Sequence, residues 1–280
     1  MTSVPPEGTT RPSAVTSQSE HHARFLELTL RNRGVEMARA LLDSEWRYIG
    51  PLLPERPHPI RVLDLACGTG THSVGFADRG YEVTAIDFDQ RLLQAGRTLV
   101  RDSAPDSRDP GWTCGDARAL PFADGSFDLV FSNSLLEHVP QWQDVLNEVV
   151  RVLTRGGVFV MYTTNRTCPL QQEVNHFPFY PWLPDPIQRR VLAWIMAHRR
   201  DLVNFTDFPA VNWFTFWGMS RAFREAGLSP HDRLDLMARA PGGGLKTALV
   251  RLMAQVPGGR FPYRLYAISM GLYGVRDRKL

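Results

Sequence analysis

One short segment decides the fold: Val62-Leu63-Asp64-Leu65-Ala66-Cys67-Gly68-Thr69-Gly70. The apolar run at its start predicts a buried strand that leads directly into a glycine-rich turn ahead of a helix. Gly68 and Gly70 would let the backbone pass close to a ligand, while Asp64 can order the turn or accept a hydrogen bond from a ligand cation. The dinucleotide fingerprint G-x-G-x-x-G fails at its third glycine, because Ser73 occupies that position. A nicotinamide oxidoreductase is therefore disfavoured, and an ordinary strand-to-helix turn remains an alternative.

Strand and helix patterns alternate around this segment. Short apolar runs predict strands at 61–65, 82–86, 127–132 and 158–163, and helical periodicity predicts helices at 73–79, 90–100 and 142–153. This alternation predicts a doubly wound α/β fold, in which right-handed crossovers bring the carboxyl ends of the strands to one ligand-binding edge. Farther along, the patterns predict helices at 186–199, 221–226 and 245–256 and strands at 231–238 and 265–275.

Acidic residues follow the predicted strands. Asp87 ends the strand at 82–86, about 20 residues beyond the glycine turn, where a carboxylate can accept hydrogen bonds from both hydroxyls of a ribose. Asp89 is expected to cap the helix that follows. Asp116 lies in a loop and can accept from an exocyclic amine, although a loop aspartate often only forms a turn.

Composition excludes several classes of protein. The 280 residues are 43% hydrophobic and 22% charged, with a formal net charge of +3, which is typical of a globular body rather than a disordered chain. The basic residues are scattered, so no nucleic-acid partner is expected. Cys67, Cys114 and Cys168 lack metal-ligand spacing and favour a reducing compartment, so we expect a cytoplasmic protein. No apolar run approaches the roughly 18 residues of a membrane-spanning helix, so integral membrane insertion is not expected.

The chain divides into five segments. Residues 1–20 are rich in Ser, Thr and Pro and are expected to form a disordered tail. Helical spacing at 21–54 predicts two helices that form an N-terminal cap. A ligand-binding core at 55–165 is followed by a Pro-punctuated, aromatic-rich insertion at 166–220, and residues 221–280 return to the core sheet.

In this order and spacing, the glycine turn, Asp87 and the Asp116 loop resemble the motifs of the class I S-adenosylmethionine-dependent methyltransferases. Two further segments are similar to later motifs of that family: Phe127-Asp128-Leu129-Val130-Phe131-Ser132-Asn133-Ser134-Leu135-Leu136-Glu137-His138-Val139 and Leu153-Thr154-Arg155-Gly156-Gly157. The resemblance runs from about 61 to 163. It implies a Rossmann-like sheet of seven strands with a final antiparallel strand, supplied by 265–275, and it implies S-adenosylmethionine as the methyl donor.

The resemblance also implies a donor site, residue by residue. It would place the methionine part of the donor beside Asp64, Ala66, Gly68 and Gly70, the ribose beside Asp87, the adenine beside Asp116 and Ala117, and the far side of the methionine beside Asn133. Arg47 is a weaker candidate for a contact with the donor carboxylate, because an arginine on a helix is commonly a solvated surface group.

A narrower resemblance concerns the ubiquinone-biosynthesis O-methyltransferases, through Leu135-Leu136-Glu137-His138-Val139-Pro140 and Thr163-Thr164-Asn165-Arg166. In that group a carboxylate ahead of the Glu and His is associated with a divalent metal, but Ser134 stands at the matching position here. Because Glu and His alone leave a hard cation short of oxygen ligands, no obligatory metal is expected.

The insertion at 166–220 is expected to close over an acceptor as a lid. It holds 11 of the 29 aromatic residues of the chain and leaves the predicted sheet at the ligand-binding edge, so it can roof a pocket for an apolar or aromatic molecule. Trp213 and Phe214 are the candidate lining residues. A satellite core that only buries itself, or a homodimer contact, would explain the same enrichment.

Together these features predict transfer of a methyl group from S-adenosylmethionine to the hydroxyl oxygen of a small, hydrophobic or aromatic metabolite. His138 and His176 are the candidate general bases, which are needed only if the hydroxyl is not ionised when it binds. One alternative is C- or N-methylation of a small metabolite. Another is a non-catalytic module that binds the donor without turnover.

Overall fold

One mixed sheet of seven strands organises the residues that the computed structural model describes, which are 35–53, 55–103, 108–171, 173–203, 209–239, 245–256 and 258–277. The strands are β1 (Arg61–Leu65), β2 (Glu82–Asp87), β3 (Gly111–Cys114), β4 (Phe127–Asn133), β5 (Leu153–Thr164), β6 (Leu228–Asp232) and β7 (Ser269–Arg276). Their order across the sheet is β3-β2-β1-β4-β5-β7-β6, and β7 runs antiparallel to both of its neighbours. The predicted Rossmann-like α/β fold is therefore confirmed.

The strand order reverses between β1 and β4. β1 pairs in parallel with β2 on one side and with β4 on the other. Val62, Leu63 and Leu65 are buried and so is Asp64 between them, so this strand is covered on both faces and its apolar residues do not alternate with exposed ones. In an open α/β sheet a crevice forms at the carboxyl ends of the strands where their order reverses. The glycine turn after β1 opens onto that crevice.

Helices cover both faces of this sheet. They are α1 (Val35–Ile49), α2 (Thr71–Ala77), α3 (Gln90–Ser103), α4 (Trp142–Val152), α5 (Asp185–His198), α6 (Phe216–Glu225), α7 (Arg233–Arg239), α8 (Leu245–Gln255) and α9 (Phe261–Tyr266). One face packs against α4 and α6 through Val149 and Phe223. The other packs against α1, α2 and α7 through Leu42, Phe76 and Leu236. None of these described helices is long and apolar enough to cross a bilayer.

The C-terminal part of the sheet differs from the sequence prediction. The strand predicted at 231–238 is wrong: β6 ends at Asp232 and α7 begins at the next residue. The N–H of Asp235 donates to Asp232 Oδ1 at 2.9 Å and the N–H of Asp232 donates to Asp235 Oδ2 at 3.0 Å, so the two carboxylates stabilise the start of this helix. The predicted last strand begins later, at Ser269, because the chain forms α9 just before it. Patterning also missed β3.

Only part of the N-terminal predictions concerns residues that the structure describes. The expected tail at 1–20 lies outside the described residues, as do residues 21–34 of the expected cap. The described part of the cap is α1 with a short 3-10 helix at Gly50–Leu52.

The insertion after β5 has a small core of its own. Val174, Tyr180, Ile195 and Val203 are buried together, and Trp213 packs partly against them. The indole of Trp213 lies with its centroid 5.6 Å from the Tyr180 ring in an edge contact. Part of the aromatic enrichment therefore comes from a satellite core.

The insertion ends at Thr215, earlier than the predicted boundary at 220. Thr215 caps α6, since the N–H of Gly218 donates to its Oγ1 at 3.1 Å. Phe216 and Met219 on this helix belong to the main core. The last five residues of the predicted lid are thus part of the sheet's helical cover.

A polar cluster joins α1 to the sheet. The hydroxyl groups of Tyr162 on β5 and Tyr273 on β7 both donate to Glu45 Oε2, the second at 2.7 Å. Arg233 of α7 forms an ion pair with Glu45 at 3.2 Å. Because each buried hydroxyl has a partner, α1 is held against the sheet without an unsatisfied polar group in this cluster.

We predict that Glu45→Ala lowers the free energy of unfolding by roughly 1–3 kcal/mol, because it leaves the Tyr273 hydroxyl and Arg233 without their carboxylate. Denaturant unfolding followed by tryptophan fluorescence measures the change. The matched control is Glu36→Ala on the same helix, where the side chain is 88% exposed and its ion pair is with Arg39; we expect a change below about 0.5 kcal/mol there. Equal losses for the two variants would contradict the role given to this cluster.

Candidate active site

The turn after β1 has left-handed backbone at three positions. The φ angles of Ala66, Gly68 and Gly70 are +59°, +55° and +68°. Glycine adopts this conformation easily, but it costs alanine about 1–2 kcal/mol. The neighbouring N–H of Cys67 donates to the carbonyl of Ile86 at 3.0 Å, which ties the turn to β2. Strain of this kind is concentrated at ligand sites.

The two glycines of the turn have different surroundings. A Cβ on Gly68 would meet no atom within 4 Å, so the space in front of it is open to a ligand. A Cβ on Gly70 would lie 2.3 Å from the indole ring of Trp112. Gly70 is therefore required by packing as well as by its backbone angle, and Gly68 is the position where the backbone can approach a ligand.

Asp87 holds this turn in place. Its Oδ2 accepts from the N–H of Gly68 and its Oδ1 accepts from the N–H of Asp89, both at 2.9 Å. The residue is 6% exposed, and burial raises the pKa of its carboxyl although both hydrogen bonds oppose the rise. An ionised carboxylate can accept about four hydrogen bonds, so beyond its backbone partners Gly68, Asp89 and Phe88 it keeps capacity to accept from a ligand.

Asp89 has the capping role that the sequence predicted. Its Oδ1 accepts from the N–H of Arg91 at 2.9 Å, at the first turn of α3. The side chain also forms an ion pair with the guanidinium of Arg91 at 2.7 Å.

Asp64 is buried behind the turn. It is 2% exposed, and the hydroxyl of Ser73 donates to its Oδ2 at 2.5 Å. Burial raises the pKa of Asp64 to about 7, against the lowering effect of that hydrogen bond. Ser73, which breaks the dinucleotide fingerprint, is thus the partner that joins the end of β1 to α2.

The loop after β3 lies next to Asp87. The N–H of Gly115 donates to the carbonyl of Asp87 at 3.0 Å. The carboxylate of Asp116 is half-exposed and pairs with Arg118 at 2.6 Å; this hydrogen bond lowers the pKa of Asp116. Ala117 packs partly against the main core. Asp116 is therefore an ionised acceptor at the same edge of the sheet.

A cavity lies at the carboxyl ends of β4 and β5. Asn133 ends β4, and Ser134 follows with a φ of +59°, its N–H donating to the carbonyl of Tyr162 at 2.9 Å. The residues that line the cavity come from the sheet edge, the insertion and the start of β7: Asn133, Ser134, Glu137, Tyr162, Thr163, Thr164, Gln171, Glu173, Trp213, Ile268 and Ser269.

Glu137 is the most buried acid of this cavity, at 1% exposure. The hydroxyl of Thr163 donates to its Oε2 at 2.7 Å. Burial raises the pKa of Glu137 to about 8, although hydrogen bonds lower it, and the charge of Glu173 adds to the rise. A carboxyl with this pKa can take up or release a proton near neutral pH.

The insertion is tied to the turn that carries Glu137. The side-chain amide of Asn212 donates to the carbonyls of Leu136 and Val139 at 2.8 and 2.7 Å. The backbone N–H groups of Val211 and Asn212 donate to the carbonyl of Glu137 at 2.8 and 3.0 Å. The end of the insertion is therefore fixed to the sheet edge by four hydrogen bonds.

The two candidate lining residues of the insertion lie in different environments. Trp213 lines the cavity. Phe214 is 8% exposed and belongs to the main core, with its ring 5.4 Å from that of Trp142. The expectation that Phe214 lines an acceptor pocket therefore needs correction. Successive side chains of an extended segment point to opposite sides, so the neighbours Trp213 and Phe214 contact different parts of the protein.

Three other candidates lie apart from the cavity lining. His138 is half-buried on the turn beside Glu137, and His176 is exposed on the insertion with a φ of +60°. Arg47 is exposed near the end of α1, where its Nε donates to the carbonyl of Ser44 at 3.1 Å. Within the described residues, no group of three or more His, Cys, Asp or Glu side chains is arranged to hold a metal ion.

Sequence reasoning missed Glu137, Tyr162 and Thr163 as site residues. A signal for Glu137 was present, since it is an acid that follows the apolar pair Leu135 and Leu136 directly after a strand. The two β5 residues carry no local signal, because their position depends on the register between β4 and β5, where Asn133 is paired with Tyr162.

Comparison with known proteins agrees with this geometry. Residues 63–161, which run from β1 to β5 and include the glycine turn, Asp87 and Glu137, match a family model described as a methyltransferase domain. This part of the chain, about a third of its length, is therefore similar to methyltransferase domains. The cofactor that this domain implies is S-adenosylmethionine.

Relatives of the methyltransferase domain act in different reactions. The chain is 42% identical over 120 residues to the malonyl-[acyl-carrier protein] O-methyltransferase of Halorhodospira halophila, which covers 42% of this chain and 39% of that protein. It is 38% identical over 144 residues to the demethylmenaquinone methyltransferase of Beutenbergia cavernae, or 51% of each chain. The chain thus spans about half or less of the length of these curated relatives.

A solved structure extends the likeness of the fold beyond the methyltransferase domain. The S-adenosylmethionine-dependent methyltransferase from Mesorhizobium loti superimposes with a TM-score of 0.52 at 18% identity, over 83% of this chain and 98% of that one. This agreement concerns the fold.

Proposed function

We propose that the chain is an enzyme that transfers a methyl group from S-adenosylmethionine to the hydroxyl oxygen of a small, hydrophobic or aromatic molecule. The observation that carries the proposal is the open glycine turn at Gly68, held by Asp87 at the crevice of a methyltransferase domain. The Halorhodospira halophila relative, named as an O-methyltransferase, supports oxygen as the acceptor atom.

The residues at the crevice fit this donor. The carboxylate of Asp87 at the end of β2 suits the hydroxyls of a ribose, and Asp116, on the neighbouring loop, suits the exocyclic amine of adenine. Asp64, Ala66, Gly68 and Gly70 are proposed to surround the methionine part, with Ala117 beside the adenine and Asn133 on the far side of the methionine. Arg47 is exposed and hydrogen-bonded within its own helix, so we give it no role in donor binding.

Catalysis would come mainly from the positioning of the acceptor relative to the methyl group of the donor. The sulfonium of the donor is already activated for methyl transfer, so the protein's task is to align the acceptor with the methyl group and exclude water. The insertion, tied to the edge through Asn212, supports this role. A hydroxyl that binds un-ionised also needs a group that takes its proton.

We also propose that the reaction takes place in the cytoplasm. Cys67, Cys114 and Cys168 are all free thiols, which supports a reducing compartment.

We predict that Asp87→Ala weakens binding of S-adenosylmethionine by roughly 1–3 kcal/mol, because two ligand hydroxyls lose their acceptor in a buried site. Titration calorimetry measures the dissociation constant. Asp89→Ala is the matched control: it removes a helix cap two residues away and should lower the melting temperature while the donor affinity stays nearly unchanged. An unchanged affinity in Asp87→Ala, with tighter binding of NAD, would refute the proposed donor.

Incubation with methyl-labelled S-adenosylmethionine and fractionated small-molecule and lipid extracts tests turnover. We expect label in a product of low molecular mass whose new bond is an O-methyl ether. An N- or C-methyl product would point to the alternative acceptor atoms. Donor binding with no labelled product from any fraction would favour a non-catalytic binding module.

Trp213 and Phe214 form a matched pair for the acceptor side. Trp213→Ala should raise the KM of the acceptor found in that screen and leave donor affinity nearly unchanged, since Trp213 lines the cavity. Phe214→Ala should instead lower stability by roughly 3–5 kcal/mol, as for other buried aromatics, and weaken both ligands together. Melting temperatures and both binding constants are measured on the same variants. A destabilised Trp213→Ala protein with proportionate losses for both ligands would remove the case for an acceptor contact.

A further inference from the structure

The cavity between the sheet edge and the insertion has room for a functional group rather than a whole molecule. Its volume is about 60 Å³, whereas a pocket that encloses a drug-sized ligand commonly has roughly 300–1,000 Å³. It adjoins Asn133, the end of β4, so it lies next to the proposed donor site. A molecule that reaches the donor from this side would place one head group in the cavity and leave its body at the mouth.

The lining of this cavity is polar and acidic. Among the described residues that line it, the titratable ones are Glu137, Glu173 and Tyr162, and none is a lysine, arginine or histidine. The hydroxyl proton of Tyr162 is already used in a hydrogen bond, because it donates to Glu45. Neutral acceptors for a hydrogen bond are added by Asn133 and Gln171. A negatively charged head group would face Glu137 and Glu173, and these described lining residues include no cation to balance it.

Glu137 is placed to meet the head group. It lies on the turn after β4, and Thr163 fixes one of its carboxyl oxygens through the hydrogen bond at 2.7 Å. The titratable groups around it are Glu173 on the insertion, Tyr162 on β5 and His138 on its own turn. Its pKa of about 8 means that a cation in the cavity would favour its ionised form.

Two apolar side chains also line the cavity. They are Trp213 and Ile268, and Ile268 is 42% exposed. These two side chains suit the apolar body of an acceptor, while the acidic interior suits its head group. The site therefore combines the expected hydrophobic selection with a polar selection that the sequence did not predict.

We propose that this cavity is a head-group subsite that holds the nucleophilic hydroxyl or amine of the acceptor against Glu137 and rejects acceptors whose head group is an acid. The proposal rests on the proposed function. In the transfer, the oxygen or nitrogen lone pair forms a bond to the methyl carbon, and the sulfur–methyl bond breaks with its electron pair going to sulfur. The proton of the hydroxyl, or the proton that an ammonium loses before its nitrogen attacks, passes to the carboxylate of Glu137 and then to water.

Three probes of one size and different charge test the selection: 2-phenylethanol, 2-phenylethylamine and phenylacetate. Calorimetry with the full chain saturated with S-adenosylhomocysteine gives their affinities. We expect the alcohol and the amine to bind about tenfold or more tightly than phenylacetate, because like charge is repelled in a desolvated site. The amine should bind more tightly as the pH rises from about 6 to about 8, since Glu137 ionises in this range while an alkylamine stays protonated up to about pH 10.

Variants separate this role from a structural one. Glu137→Gln keeps the acceptor for Thr163 but removes the charge, so the pH dependence of amine binding should disappear and the preference over phenylacetate should shrink. Glu173→Gln should reduce the preference while keeping the pH dependence. Glu225→Gln, on the exposed end of α6 where Glu225 pairs with Arg221, makes the same charge change away from the cavity and should alter neither.

The outcomes are distinguishable from a failure of the proposed function. If S-adenosylhomocysteine and S-adenosylmethionine do not bind, the proposed function fails. If they bind but phenylacetate binds as tightly as the amine, or no probe binds, the subsite proposal is overturned alone. The subsite proposal is also overturned if Glu137→Gln keeps the wild-type preference over phenylacetate and the wild-type pH dependence of amine binding, while its melting temperature and S-adenosylhomocysteine affinity are unchanged.

Discussion

The hydrogen bond from the N–H of Gly68 to the carboxylate of Asp87 connects the carboxyl ends of β1 and β2. The same carboxylate accepts from Asp89 and so sets the path of the chain into α3. One side chain therefore fixes two loops, and it does so where the strand order reverses and a crevice must open. The left-handed turn at Ala66 and Gly68 is tolerated because this bond and the bond from Cys67 to Ile86 hold it. A buried carboxylate with acceptor positions still unused can then serve a ligand.

Much of this architecture could be predicted from the sequence, for physical reasons that are specific to each element. β1 was predicted with its observed bounds because a strand buried on both faces has apolar residues at neighbouring positions, here Val62, Leu63 and Leu65. β3 was missed because its residues are half-exposed or exposed and give no apolar run. The error at 231–238 came from the periodicity alone, since reciprocal capping by Asp232 and Asp235 decides where β6 ends and α7 begins.

The site was predictable in part. Local motifs around one turn contain four of the candidate residues, Asp64, Gly68, Gly70 and Asp87. The fold class predicts that these residues lie close together. The acceptor side depends on long-range packing, and this is why Trp213 and Phe214 could not be told apart in the sequence although one lines the cavity and the other fills the core. Three buried acids near the edge, Asp64, Asp87 and Glu137, have a raised pKa because of burial. An edge with such acids is suited to positive charge, which a sulfonium carries.

The pairing of β5 has a consequence for how this protein can be divided. Residues 63–161 match the methyltransferase domain, but β5 is hydrogen-bonded along its other side to β7, from Val158 with Val275 to Thr164 with Ser269. A fragment cut at the limits of the match would expose that strand as an unprotected edge, which invites association with other chains. It would also lack Glu45, the carboxylate that receives the hydroxyl of Tyr162. The unit that could be exchanged between proteins by recombination is therefore larger than the matched segment, and must carry both α1 and the antiparallel pair of β6 and β7 with it.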